Sequence, residues 1–260
     1  MSETSQKKWS KSSIADFLIN NAIYVVLLLL VIIIICMDSS FLSVTNFRFI
    51  ITQASTRVIL ALGVAGLLVL AGTDLSVGRM VGLSAVISAS LLQTPEYARR
   101  IFPDMAQLPV FVPILLAIFF TALASTISGY VIAKFKVTAF IVTLSMQLIL
   151  YGALSLYYDY TGGSPIANLD ERFKYFAQGS LSLGFIEVPF LVIYAAITVG
   201  LVWFIWNKTR LGKNMFAVGG NEEAATVSGV NVIRTIVLVS MLAGVLYGCT
   251  RSCKNRKRNQ

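Results

Sequence analysis

A carboxylate set between glycines inside an apolar tract has few partners to choose from, and Asp74, in Gly72-Thr73-Asp74-Leu75-Ser76-Val77-Gly78-Arg79, is in that position. Its oxygens can accept from the free amides of a following helix, or face water or a cavity. A lipid-facing place is disfavoured, because an Asp at bilayer depth costs about 2.5–3.5 kcal/mol on insertion scales. Gly72 tolerates the backbone angles that a break requires, and Gly78 opens a close-packing face continued by Gly82, Ala85 and Ala89. A capped surface turn accounts for the same residues. Hydroxyls recur further on: Thr121, Ser125 and Ser128 follow i, i+4, i+7, the spacing of close helix packing or of a path for a polar solute. Thr143 and Gln147, one turn apart, are candidates for such a path. Covalent chemistry has little to work with. The chain has no histidine, which excludes His-based triads, His metal sites and imidazole relays. Ser145 or Ser155 would be a nucleophile without a base, and Cys36, Cys249 and Cys253 do not form a zinc pattern. No catalytic residue, no metal and no cofactor of its own is expected.

The elements that must position these residues are membrane helices. Of 260 residues, 57% are hydrophobic and 13% charged, with a mean hydropathy of +0.78. Soluble domains carry about 25% charged residues, so the expected fold class is an all-α, polytopic integral membrane protein. Apolar runs occupy Phe17–Met37, Val58–Ala71, Met80–Leu92, Val110–Ala133, Val137–Tyr158, Val188–Trp206 and Thr235–Gly248. The second and third, of 14 and 13 residues, fall short of the roughly 20 that a hydrocarbon core about 30 Å thick requires. They are therefore expected to form one hairpin-like unit whose break lies at a membrane surface or re-enters the protein. The segments 38–57, 93–109 and 159–187 read as connections.

Charge sets the orientation. The N-terminal segment 1–16, with Lys7, Lys8 and Lys11, lacks a small-residue cleavage site and reads as an uncleaved cytoplasmic end. With the basic segments 134–136 and 207–234 it falls on one side, which the positive-inside preference makes cytoplasmic; the acidic 159–187 segment is then outside. The formal charge of +9 does not indicate nucleic acid, because Arg251, Lys254, Arg256, Lys257 and Arg258 supply five of it. The chain thus divides into residues 1–16, a transmembrane domain 17–248 and a basic tail 249–260.

A second motif runs from Gly212 to Asn231. Asn221 is a good N-cap, Glu222 and Glu223 complement the dipole of a first turn, Ala224 and Ala225 propagate it, and Gly229 fits a C-terminal cap beyond Ser228. The expected product is a two-turn helix with a flat alanine face, either a docking element for another protein's groove or an ordinary structured loop.

Taken together, the two motifs resemble the simple-sugar branch of bacterial ABC importer permeases, the ribose, xylose and galactose type. Gly72 to Gly78, with Arg79 after it, resembles that family's signature, and Gly212 to Gly229 its ATPase-coupling loop, including Gly212, Gly219, Asn221, Glu222, Glu223, Ala224, Ala225, Ser228 and Gly229. The similarity extends from about Tyr24 to Gly248. The galactose and methyl galactoside members look most similar, on Ala61-Leu62-Gly63-Val64-Ala65-Gly66, Ser155-Leu156-Tyr157-Tyr158-Asp159 and Trp206-Asn207-Lys208-Thr209-Arg210. The resemblance implies an ABC importer permease-like helix bundle in the bacterial inner membrane, surrounded by membrane lipid. It implies three protein partners: a cytoplasmic ATPase subunit at Asn221–Ser228, a periplasmic sugar-binding protein, and a second copy of the permease. ATP belongs to the separate subunit, since the chain has no Gly-x-x-x-x-Gly-Lys-Ser/Thr phosphate loop. Alternatives are a permease for ribose or xylose, or a non-transporting membrane anchor.

Family members continue with further spans, whereas here the last apolar run gives way at Gly248 to Cys249-Thr250-Arg251-Ser252-Cys253-Lys254 and further basic residues. The expectation is a C-terminal part truncated or replaced by a frameshift. The alternative is a genuine basic tail drawn to anionic lipid at about 1 kcal/mol per residue.

Overall fold

The computed structural model describes residues 19–95, 97, 100–163, 166, 168–182 and 187–252. The proposed N-terminal segment 1–16 and tail residues 253–260 lie outside them. The chain divides into two units, Met1–Ile50 and Ile51–Gln260. In the first, α1 (Ala22–Met37) is 16 residues of almost unbroken aliphatic side chains, none of them buried. Residues 19 and 20 are helical as well, set off from α1 by a turn at Asn21, and Phe17, where this run is expected to begin, lies outside the described residues. Asp38 accepts from the Ser40 amide at 2.9 Å, which opens a 3-10 turn (Ser39–Leu42), and Ser43 Oγ accepts from the Asn46 amide at 3.2 Å at the start of the next helix.

That helix, α2, runs Val44–Val69 for 26 residues. The expected connection 38–57 is therefore mostly helix. Charges at Arg48 and Arg57 divide the apolar run without stopping the backbone ladder, because a long guanidinium side chain can leave its stem on apolar surface and its head in water. After the break at 70–76 come α3 (Val77–Leu91), α4 (Phe111–Phe135) and α5 (Ala139–Tyr160). The loop expected at 159–187 instead contains α6 (Glu171–Gln178) and a small antiparallel hairpin, β1 (Ser180–Ser182) with β2 (Glu187–Pro189), in which Leu181 faces Val188. Buried Asp170 caps α6 through the Arg172 amide at 2.8 Å and accepts from Gln107 Nε2 at 2.6 Å, so the 93–109 and 159–187 segments form one layer over Leu92, Leu169 and Phe173.

The remaining helices are α7 (Phe190–Lys208), α8 (Arg210–Gly220), α9 (Glu222–Val227) and α10 (Val232–Ser252). The apolar run expected to stop at Gly248 continues as helix: α10 is 21 residues long and runs through Cys249, Thr250 and Arg251. By length and composition, five of the described helices can cross a membrane: α2, α4, α5, α7 and Val232–Thr250 of α10.

α10 is the centre of the second unit, lying against α3, α4 and α8. Its seam with α4 is built from small residues. A Cβ on Gly244 would come within 2.6 Å of Thr121 O and 2.7 Å of Ser125 Cβ; one on Gly248 would come within 2.7 Å of Ile118 Cα. A hydroxyl fastens the contact, Ser125 Oγ donating to Ser240 O at 2.7 Å, and Ser84 Oγ ties α3 to the same helix by donating to Gly248 O at 2.8 Å. Of the two uses open to Thr121, Ser125 and Ser128, close packing accounts for Thr121 and Ser125, as membrane helix interfaces favour small and hydroxyl residues. The buried face of α3 carries Met80, Ser84 and Ser88; of the expected Gly78, Gly82, Ala85 and Ala89, Gly82 lies against Leu154 of α5 and Ala89 packs on the Leu92–Phe173 cluster, while a Cβ at Gly78 would meet nothing within 4 Å.

Candidate functional site

The break between α2 and α3 is made by hydrogen bonds that replace the helix ladder. The Gly72 amide donates to Leu67 O and the Ala71 amide to Leu68 O, both at 3.0 Å, and the residue with a left-handed backbone is Ala71, φ 55°. This is a Schellman termination with the glycine one position late. Gly72, expected to absorb the unusual angles, is small for another reason: its Cβ would lie 3.2 Å from that of Ala139 on α5. Asp74 Oδ1 accepts from Ser76 N at 2.8 Å and from Ser76 Oγ at 2.6 Å, which turns the chain into α3. It bonds the residue before the helix, and so serves the turn rather than the helix's own first amides. Asp74 Oδ2 accepts from Tyr247 Oη at 3.0 Å. Tyr247 is fully buried on α10, its ring against Gly63 of α2, where a Cβ would come within 2.6 Å of Cε1. The carboxylate thus has three donors from protein, which offsets its removal from water.

From α5, Thr143 closes the other side. Its hydroxyl accepts from the Leu75 amide and lies 3.2 Å from Thr73 O, to which it donates. Gln147 does not join it: Thr143 is bound to the break and faces a cavity that Gln147 does not line. Arg79 lies over the ring of Tyr151, 4.4 Å from its centroid.

The coupling segment is two helices rather than one. α8 precedes the expected turn and buries Gly212, Met215 and Val218 on one face. Gly212 lies on the backbone of Trp206 and Gly219 on the carbonyl of Val69, each too close for any Cβ. Met215 enters the same apolar cluster as Leu67, Met80 and Tyr247, so α8 is anchored at the end of α2 from which the break begins. α9 then forms as its residues dictate. Asn221 Oδ1 accepts from the Ala224 amide at 2.9 Å, Glu222 and Glu223 occupy the first turn, and Gly229 ends it at φ 82° with the Val230 amide on Ala225 O. The flat alanine face does not exist: Ala224 is exposed but Ala225 is only 4% exposed, as about 100° of rotation per residue separates neighbours on a helix. The outward surface is Asn221–Ala224 and Thr226–Gly229, with Val227 90% exposed. Among the described residues no three of His, Cys, Asp or Glu could jointly hold a metal ion.

Residues 46–249 match the family model described as branched-chain amino acid transport system / permease component. The chain belongs to that permease family. The permease is 54% identical over 237 residues to the galactose/methyl galactoside import permease protein MglC of Haemophilus influenzae, covering 91% of this chain and 70% of that protein. To MglC of Escherichia coli it is 50% identical over 238 residues, 92% of this chain and 71% of the relative. The ribose import permease protein RbsC of Haemophilus influenzae is 32% identical over 239 residues, 91% of this chain and 69% of the relative. No solved structure matches. The permease is a multi-pass membrane protein of the transport class, as its apolar helices and relatives agree.

In this permease the two motifs that sequence reasoning singled out are neighbours: Gly72–Asp74 and Glu222 line one cavity. What the sequence left unmarked is Tyr247, which ties α10 to Asp74; Gly219, named with the coupling loop, proves to be its contact with Val69. Tyr247 read as one more apolar position in a span, although a tyrosine amid aliphatics needs a partner for its hydroxyl.

Proposed function

We propose that this permease is the membrane subunit of an ATP-driven importer in the bacterial inner membrane, with galactose or a methyl galactoside as its cargo. One observation carries the substrate: identity to the two MglC relatives is 50–54%, against 32% to the ribose permease, over similar lengths. A separate ATPase subunit docks on the exposed face of α9, around Glu222, Glu223, Ala224 and Val227, with the N-terminus and the 207–234 segment cytoplasmic. A periplasmic sugar-binding protein delivers cargo at the opposite layer of 93–109 and 159–187, and a second copy of the chain completes the translocation unit. Gly72, Asp74, Ser76, Gly78 and Arg79 belong to the part that moves. ATP binding and hydrolysis shift the docked α9, α8 transmits the shift to the Val69 end of α2, and the spans reopen toward the other side.

The test is uptake of labelled galactose by cells carrying the permease, an ATPase subunit and a binding protein, with unlabelled galactose, methyl galactoside, ribose and xylose as competitors. Competition by galactose and methyl galactoside alone is the expected result. Ribose uptake in its place would assign the permease to the other branch, and no uptake of any sugar with all partners present would leave a membrane anchor. Cysteine at Val227 should react with impermeant thiol reagents only from the cytoplasmic side.

A further inference from the structure

α5 is long and apolar enough to cross a membrane, and Tyr151 lies near its middle, about 18 Å from Ala139 and about 14 Å from Tyr160 at 1.5 Å per residue. Over its ring sits the guanidinium of Arg79, 4.4 Å from the centroid. A permanent positive charge is thereby held at mid-depth. Its direction matters as much as its place. The 73–75 backbone is level with Thr143, whereas the Arg79 head reaches Tyr151, about 12 Å farther along α5. A long cationic side chain on a lipid-facing helix turns its head back toward the nearer surface. Arg79 extends the other way, a course that leaves a lipid-facing place untenable for it.

What holds the head is equally informative. The face of an aromatic ring orients a guanidinium without neutralising it. Among the described residues no carboxylate pairs with Arg79, and Asp74, in the same stretch of chain, is engaged by Ser76 and Tyr247. An arginine whose work was to lock α3 to α5 would be served better by a carboxylate, which takes both prongs of the fork. Here the charge is kept whole. Its surroundings on α5 are polar as well: Gln147, Tyr151 and Ser155 recur every fourth residue as one stripe, beside an exposed apolar face of Leu148, Ile149 and Leu156 that suits lipid.

We propose that this stripe lines the water-filled route of the permease and that Arg79 is its charge-selecting residue, a fixed cation at mid-depth that turns back protons and metal cations while a neutral sugar passes. The proposal rests on the sugar-import reading for the cargo of the route. An opening that admits a monosaccharide also admits a small hydrated cation, so size cannot tell the two apart and charge can. One unit charge within about 8 Å, at the effective dielectric near 20 of protein sites, changes the local concentration of a monovalent ion roughly thirtyfold. The Tyr151 ring serves this end by fixing the guanidinium in place and leaving its field intact.

The experiment uses the assembled importer in vesicles, with Cys36, Cys249 and Cys253 replaced by alanine and Gln147→Cys introduced on the stripe. Three methanethiosulfonates of similar size, one cationic, one neutral and one anionic, are compared, each rate being divided by the rate of the same reagent with free cysteine. The expected result is that the anionic reagent labels at least about tenfold faster than the cationic one. Arg79→Gln should bring the two rates together, and Arg79→Lys, which keeps the charge without the flat stack, should retain most of the preference; a purely structural Arg79 predicts no change in the ratio. In the same vesicles Arg79→Gln should raise the collapse of a pH gradient during turnover several-fold for each galactose taken up. The ratio in the Arg79 parent needs no change at that residue and decides the matter even where Arg79→Gln fails to insert: equal rates there overturn the barrier. A thiol at position 147 that no reagent reaches, with galactose uptake active, overturns the route along α5 and leaves the import reading standing. Charge-selective labelling without uptake of any sugar keeps the barrier and removes the sugar from the route.

Discussion

Gly219→Ala sets a methyl group where the carbonyl of Val69 already lies, whereas Gly220→Ala, one residue on, meets nothing within 4 Å. Both positions are in the last turn of α8, so the gain in helix propensity, up to about 1 kcal/mol for glycine to alanine, enters both variants alike. What differs is the overlap. The atom in the way at Gly219 belongs to the main chain, which cannot swing aside as a flexible side chain would, so α8 must lift from α2 or the Leu70–Ala71 turn must shift. Overpacking of this kind costs about 1–3 kcal/mol, a factor of roughly 5–150 between the two variants. Denaturant titration of the purified permease in mixed micelles should place Gly219→Ala below Gly220→Ala by that amount. If α8 carries the stroke of the ATPase to the break, Gly219→Ala should also lower sugar uptake while ATPase copurification and ATP hydrolysis persist, with Gly220→Ala behaving as the parent. Equal stability and equal uptake for the two variants would refute the close approach and the route built on it.

Tyr247→Phe removes the hydroxyl on Asp74 Oδ2 while leaving both Ser76 donors; a hydrogen bond to a charged group is worth about 1.5–3 kcal/mol, and the loss should be measurable in the same titration. Ala224→Arg should abolish copurification with the ATPase and leave the unfolding midpoint unchanged, whereas Ala225→Arg, at a position 4% exposed, should lower the midpoint itself. Gly244→Leu should prevent α4 and α10 from meeting, destabilising by more than about 3 kcal/mol because the obstructing atoms include backbone of Thr121 and Ala122; limited proteolysis of the membrane-inserted chain would reveal the opened seam.

How far the sequence could be read depended on whether a local rule had a competitor. The helices α4, α5 and α7 fall within two residues of the expected runs because nothing charged interrupts them. α2 was cut short by Arg57, a residue that ends an apolar count but not a helix. The layer of α6 and the β1–β2 hairpin was hidden because its stability comes from Asp170, Gln107 and Leu169 meeting across distant segments. α8 went unread since Gly212, Gly219 and Gly220 each weigh against a helix by about 1 kcal/mol, and the reason two of them are glycine, contact with main chain elsewhere, is tertiary. α9 was legible to the residue because its caps are local chemistry. At the break, the composition located the turn but not its pivot, which is Ala71, and the long-range partner of Asp74, Tyr247, lies 173 positions away.

Where α4 and α10 touch, knobs and holes give way to main chain laid nearly on main chain, and half of the apolar window of α10 is enclosed by its neighbours against 17% for α5 and α7. Such a pair has only a thin layer of small side chains, Thr121 and Ser125 among them, that could shear, so a rocking motion would carry both helices together like a keel. The hull planks that can tilt are the thinly held α5 and α7, and it is α5, through one threonine hydroxyl on the 73–75 backbone, that would feel the keel turn first.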